Sequence, residues 1–172
     1  MQMTEDDIGI YLDQLLKNNQ IKLEITGGTR TWRLLPSPRH QKLIDRVRAT
    51  IEPIPDSDRS YGCGYYHLAD VQLKFPDGSF KRPDIAIFCT EPPDIDESWE
   101  QVPEAVIEVI SPNYEEKDLS INPPWYLAQG VRDVLIVDPR TEQITHWRHA
   151  TAVITHTMPY DVDLLCGCRV TI

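Results

Sequence analysis

The chain has 172 residues, 41% of them hydrophobic, and a formal net charge of −10. That length suits one domain, and that apolar content excludes a disordered chain. The negative charge argues against a broad non-specific nucleic-acid surface, and no run approaches the roughly 18 apolar residues of a membrane span.

Thr4, followed by Glu5, Asp6 and Asp7, predicts a helix start, with a hydroxyl cap and acids in the first turn. Ile8, Tyr11, Leu12, Leu15 and Leu16 continue it at helical spacing. Ile21–Ile25 alternates as a strand, Gly27-Gly28 is a turn and Thr31–Leu35 a second strand, so a hairpin is expected. Ser37-Pro38 starts a second helix, with Leu43, Ile44 and Val47 as its apolar stripe. Residues 52–69 read as irregular and Val71–Phe75 as a strand before the Pro76-Asp77-Gly78-Ser79 turn. Asp84–Phe88, Glu104–Ile110 and Val134–Val137 are apolar strands, and a long acidic, proline-rich loop spans 91–103. Gln143–Arg148 and Ala152–His156 form a closing hairpin. The order predicts one α/β domain, residues 1–172, around a mixed sheet flanked by helices.

The opening MQMTEDDIG is acidic and lacks an apolar signal core, so a cytoplasmic protein is expected. Cys63, Cys89, Cys166 and Cys168 have no zinc-type spacing and read as reduced, small apolar core residues. Between Arg30 and Arg48 lie Arg30, Arg33, Arg39, Lys42, Arg46 and Arg48 against the single acid Asp45. Such a segment suits either phosphate contact or a solvated helix face.

Two carboxylates stand out. Asp84 opens one apolar strand, and Glu108 interrupts Val106-Ile107 and Val109-Ile110. An unpaired charge there costs several kcal/mol. Each alone reads as a turn residue or half of an ion pair. Two carboxylates converging on neighbouring strands repel unless a cation lies between them. Magnesium, with manganese as a substitute, is the hard oxygen-seeking ion that one or two carboxylates and waters hold. It polarises a phosphodiester and activates water. Such a site also wants a positive group, and the position two residues after Glu108 is Ile110.

The order "PDIAIF", "VIEVISP", "YLAQGV" and "LIVDP", with Asp118 and Tyr126 between, resembles the Uma-two family, described as putative restriction endonucleases within the PD-(D/E)xK nuclease superfamily. The match covers roughly Glu24 to Arg148. The resemblance implies a restriction-endonuclease-like core acting on DNA. It places a divalent metal at Asp84, Glu108 and the Val109 carbonyl, with Glu24 as a further metal or water ligand. His40 then falls near the site, between Arg39 and Lys42 on a DNA-facing helix start. The family's lysine, four residues beyond the position of Asp118, falls on Asn122 in this chain. Asn122-Pro123-Pro124 reads instead as a helix cap followed by proline, and Lys117 is the nearest cation. Tyr126 reads as a packing residue on that short helix. The resemblance implies a homodimeric, magnesium-dependent DNA endonuclease; the alternative is a catalytically inactive relative that binds nucleic acid or protein.

Overall fold

Local signals set the first elements as expected. In the computed structural model, which describes residues 4–18, 20–55, 66–111 and 117–172, α1 (Glu5–Lys17) begins at Thr4. The Thr4 hydroxyl accepts from the Asp7 N–H, and the Asp7 carboxylate accepts from the Thr4 N–H, a reciprocal capping box. Strands β1 (Ile21–Thr26) and β2 (Thr29–Leu34) form the hairpin. Its two-residue turn needs positive φ at both positions, which Gly27 (54°) and Gly28 (81°) adopt without steric cost. Helix α2 (Pro38–Arg48) starts at Ser37, whose hydroxyl accepts from the His40 N–H, and ends on Arg46 and Arg48, where cations suit the helix dipole.

The segment expected to be irregular carries β3 (Glu52–Pro53) and β4 (Tyr66–Ala69). The expected strand at 71–75 is trimmed to β5 (Leu73–Lys74). Asp70, at φ 55°, turns the chain between β4 and β5, and its carboxylate gathers Lys22 and Arg82. Then come β6 (Phe80–Lys81), β7 (Ile85–Phe88) and β8 (Ala105–Val109). A π-helical turn over Lys117–Ile121 leads into α3 (Asn122–Ala128), followed by β9 (Asp133–Asp138), β10 (Gln143–Arg148) and β11 (Ile154–Thr157). The C-terminal β12 (Asp161–Asp163) and β13 (Cys168–Thr171) lie beyond the hairpin expected to close the fold.

The central sheet has the order β11-β10-β9-β8-β7-β4, with only β8 and β9 parallel. A four-stranded sheet, β2-β1-β6-β5, and a three-stranded sheet, β12-β13-β3, complete the fold. Because side chains alternate along a strand, the central sheet has two distinct faces. Ile85, Ile87, Ile107, Val109, Leu135 and Val137 pack against α2 and the C-terminal strands. Ala86, Phe88, Val106, Ile110, Val134 and Ile136 pack against Tyr126 of α3, Leu73 and Phe75. Each fully buried Ile or Val contributes about 1.5–3 kcal/mol, and the β7-β8-β9 centre is built largely of such residues. No helix is long and apolar enough to cross a membrane among the described residues.

The cysteine reading is corrected at Cys168, which is disulfide-bonded. Cys166 is a buried thiol, with its pKa pushed up to about 11 chiefly by burial. Cys63 lies outside the described residues.

Candidate active site

Alternation in Val106-Ile107-Glu108-Val109-Ile110 puts Glu108 on the α3 face of the central sheet. The antiparallel register pairs Ile85 with Ile107, so one step further Asp84 stands opposite Glu108. The two carboxylates interlock through the main chain. Asp84 N–H donates to Glu108 Oε2 at 3.3 Å, and Val109 N–H donates to Asp84 Oδ2 at 2.8 Å. Glu108 Oε1 accepts the Tyr126 hydroxyl at 2.7 Å. Glu108 is 1% exposed, and a buried carboxylate persists only where donors meet it. Tyr126 is therefore more than the packing residue that the sequence suggests. Burial, with the negative charges of Glu108 and Glu24, raises its hydroxyl pKa well above 10, so it stays a donor.

Asp84 Oδ1 lies 3.0 Å from His40 Nε2, and the other ring nitrogen of His40 is 3.5 Å from Ser111 Oγ. Helix α2 thus delivers a side chain to the acidic pair through its first turn. Arg39 and Lys42, its neighbours, are exposed to solvent.

Glu24, on β1, is buried between two cations. Arg33 of the hairpin partner is 3.5 Å from Oε1, and Lys81 Nζ is 3.4 Å from Oε2. Both contacts follow from register. Lys22 pairs with Arg33 across the hairpin, leaving Arg33 diagonal to Glu24. Ile25 pairs with Phe80, which sets Glu24 opposite Lys81. Lys81 Nζ also donates to Asn122 Oδ1 at 2.9 Å.

That bond corrects the reading of Asn122 as a helix cap. The cap position of α3 is Ile121, with no side-chain cap bond, and Asn122 lies inside the helix with its amide turned to Lys81. The prolines act as expected: Pro123 and Pro124 occupy the first turn of α3, where missing N–H groups cost little. The side chain of Lys117 lies outside the described residues.

Lys22, Glu24, Arg33, Pro36, His40, Arg82, Asp84 and Ser111 line one small cleft. Glu24 and Asp84 face it together with three cations, two of which, Lys22 and Arg82, share Asp70. The cleft therefore presents acid for a metal beside positive charge for an anion. Among the described residues no three His, Cys, Asp or Glu side chains form a metal-sized cluster. The Asp84–Glu108 pair nonetheless fits magnesium. Its oxygens are hard donors, one or two carboxylates plus waters suffice, and each oxygen that accepts one hydrogen bond retains a second lone pair.

Sequence reasoning placed Asp84 and Glu108 on adjacent strands, and the structure brings them together with Glu24, His40 and Asn122. It missed Lys81, took Arg33 only as part of a basic segment, and took Tyr126 only as a packing residue. The only signal for Lys81 was a lysine in a short β-type run just before Pro83-Asp84.

The mixed sheet flanked by helices defines a nuclease-like α/β fold. The same fold occurs in a crystal structure of a putative nuclease belonging to DUF820 from Anabaena variabilis ATCC 29413. It matches with a TM-score of 0.61 and 19% identity, over 88% of this chain and 87% of that one. The chain belongs to the Uma2 family, described as "Putative restriction endonuclease", whose family model matches residues 11–162. No curated protein matches it.

Proposed function

We propose that this protein is a magnesium-dependent endonuclease that hydrolyses DNA phosphodiesters, working as a homodimer. The observation that carries the reading is the Asp84–Glu108 pair, fixed by main-chain bonds beside a cleft that also holds Glu24, Arg33, Lys22 and Arg82. Family membership supports nuclease chemistry.

Asp84, Glu108 and the carbonyl of Val109 would hold the metal. When bound there, magnesium polarises the phosphodiester and lowers the pKa of water. His40 fixes one oxygen of Asp84 and the Val109 N–H fixes the other. Tyr126 and the Asp84 N–H do the same for Glu108. Glu24, held between Arg33 and Lys81, accepts a hydrogen bond from the attacking water and turns its oxygen toward phosphorus. The new P–O bond forms as the bond to the deoxyribose oxygen breaks. The water's proton passes to solvent, and the leaving oxygen takes one up. Arg39 and Lys42 meet backbone phosphates alongside.

Supercoiled plasmid at low salt, with magnesium or manganese, tests this reading. Wild type should nick and linearise it, and Asp84→Ala or added EDTA should stop the reaction. Sedimentation of the protein should report two copies. If wild type cleaves no faster than Asp84→Ala, the endonuclease reading fails. A nuclease-fold binding protein then replaces it. That second reading is favoured by one observation: Glu108 already accepts Tyr126 and the Asp84 N–H, so its burial does not require a metal.

A further inference from the structure

We infer that Lys81 is the positive group of the site, a positioning residue that acts on the attacking water through Glu24. The inference rests on the nuclease reading above and deepens it.

Lysine is almost never fully buried unless paired, yet Lys81 is 1% exposed. Its ammonium is held by the carboxylate of Glu24 at 3.4 Å, the amide oxygen of Asn122 at 2.9 Å, and the ring of Trp125, 5.2 Å from Nζ to centroid. A buried ion pair adds little net stability over an apolar pair of similar volume. Stability alone therefore gives weak reason to keep an ammonium here.

Its location gives a stronger reason. Glu24 lines the cleft beside Asp84. Asp84 is linked in turn to Glu108, whose Oε2 accepts the Asp84 N–H, so the three acids form one cluster at the cleft. Lys81 belongs to that cluster from β6, only three residues before Asp84 in the chain. No cation stands at Ile110 or at Asn122. Instead Asn122, on α3, turns its amide oxygen to the lysine of β6.

In hydrolysis, the water oxygen bonds to phosphorus while the bond to the deoxyribose oxygen breaks. The water's proton leaves to solvent. Negative charge accumulates on the phosphoryl oxygens meanwhile, and the buried ammonium offsets the charge of Glu24 rather than meeting the phosphate itself. Lys81 also holds Glu24 Oε2 in place, so that Glu24 meets the water in one geometry. Asn122 directs the ammonium.

The test compares full-length wild type, Lys81→Met, Lys81→Gln, Lys81→Met/Asn122→Lys and Asp84→Ala. Plasmid cleavage with magnesium, melting temperature, and duplex binding in EDTA are measured for each. Misplacing a group that orients the reacting water by about 1 Å costs on the order of 100-fold, so Lys81→Met and Lys81→Gln should lose that much cleavage. Their duplex affinity in EDTA should stay at the wild-type value, because the ammonium is buried away from bulk phosphate contacts. Returning the charge from position 122 should recover most of the lost rate. Lys81→Gln guards against misfolding, since it keeps hydrogen bonding and loses only the charge.

If both single variants cleave like wild type while Asp84→Ala is inactive, the Lys81 inference is overturned and the nuclease reading stands. Loss without recovery in a double variant that melts like wild type also overturns it, because charge is then not what was lost. If wild type matches Asp84→Ala, the nuclease reading falls, and this inference with it.

Discussion

Tyr126→Phe isolates what keeps Glu108 buried. The substitution preserves the ring, which packs between Phe75 and Trp125 at centroid distances of 5.8 and 5.1 Å, and removes only the hydroxyl. That hydroxyl donates to Glu108 Oε1 at 2.7 Å, in a pair where both residues are essentially without solvent. Hydrogen bonds to charged groups contribute about 1.5–3 kcal/mol, and the loss is greater when the acceptor is left short of donors. We expect a cost of about 2 kcal/mol without metal. For a chain of this size each kcal/mol moves the melting temperature by about 2–4 °C, so Tm should fall by about 6 °C. Urea denaturation and thermal melting in EDTA measure it. Magnesium should then restore part of the lost stability, because a bound cation compensates the same carboxylate. A Tyr126→Phe variant that melts at the wild-type temperature in EDTA would refute the reasoning, since the hydroxyl would then contribute nothing to holding the charge.

Other outcomes follow from the same geometry. Glu108→Gln keeps an acceptor for the Asp84 N–H, and its amide can donate to the Tyr126 oxygen. It should melt close to wild type in EDTA while losing the heat of manganese binding in calorimetry; strong destabilisation would mark Glu108 as purely structural. Asn122→Lys alone places a second ammonium against Lys81 at a site 1% exposed. It should cost about 3 kcal/mol in urea denaturation and bring no gain in plasmid cleavage. Arg39→Ala/Lys42→Ala should weaken duplex binding and reduce the slope of log K against log salt by about 2, as read by fluorescence anisotropy at several salt concentrations. Burial pushes the Asp133 carboxyl up. Hydrogen bonds from His146, Arg148 and the Leu165 N–H, with the charge of Arg148, outweigh it and hold the carboxyl below its ordinary 3.8. A lowered folded pKa stabilises above the unfolded value and loses that contribution as pH falls through the folded one. Asp133→Asn should therefore cost about 3 kcal/mol at neutral pH, and its deficit should shrink below pH 3.8 in denaturation series.

Much of the scaffold was legible in the sequence because its causes are local. Thr4 with Asp7, Ser37 before Pro38, and Gly27-Gly28 each satisfy backbone groups or dihedrals within a few residues. The apolar run Val106–Ile110 marked Glu108 as a carboxylate inside a buried strand before any partner was known. The order of motifs pointed to Asp84 and Glu108 as a pair, and the strand register sets them opposite each other.

Where the local signals conflicted or ran out, tertiary structure decided. Asn122 before two prolines has every local reason to cap a helix, yet its amide binds a lysine 41 residues away and the cap position falls to Ile121. Lys81 reads locally as a charge on a short strand. It meets Glu24 only because β6 pairs with β1 across 57 residues of chain. Tyr126 meets Glu108 because α3 packs on the sheet face that carries this acid. A helix cap or a glycine turn is settled by dihedrals and bonds within one turn of chain, so composition records it. Which strand lies beside which is settled by the burial of whole faces, and that free energy belongs to no single stretch of sequence.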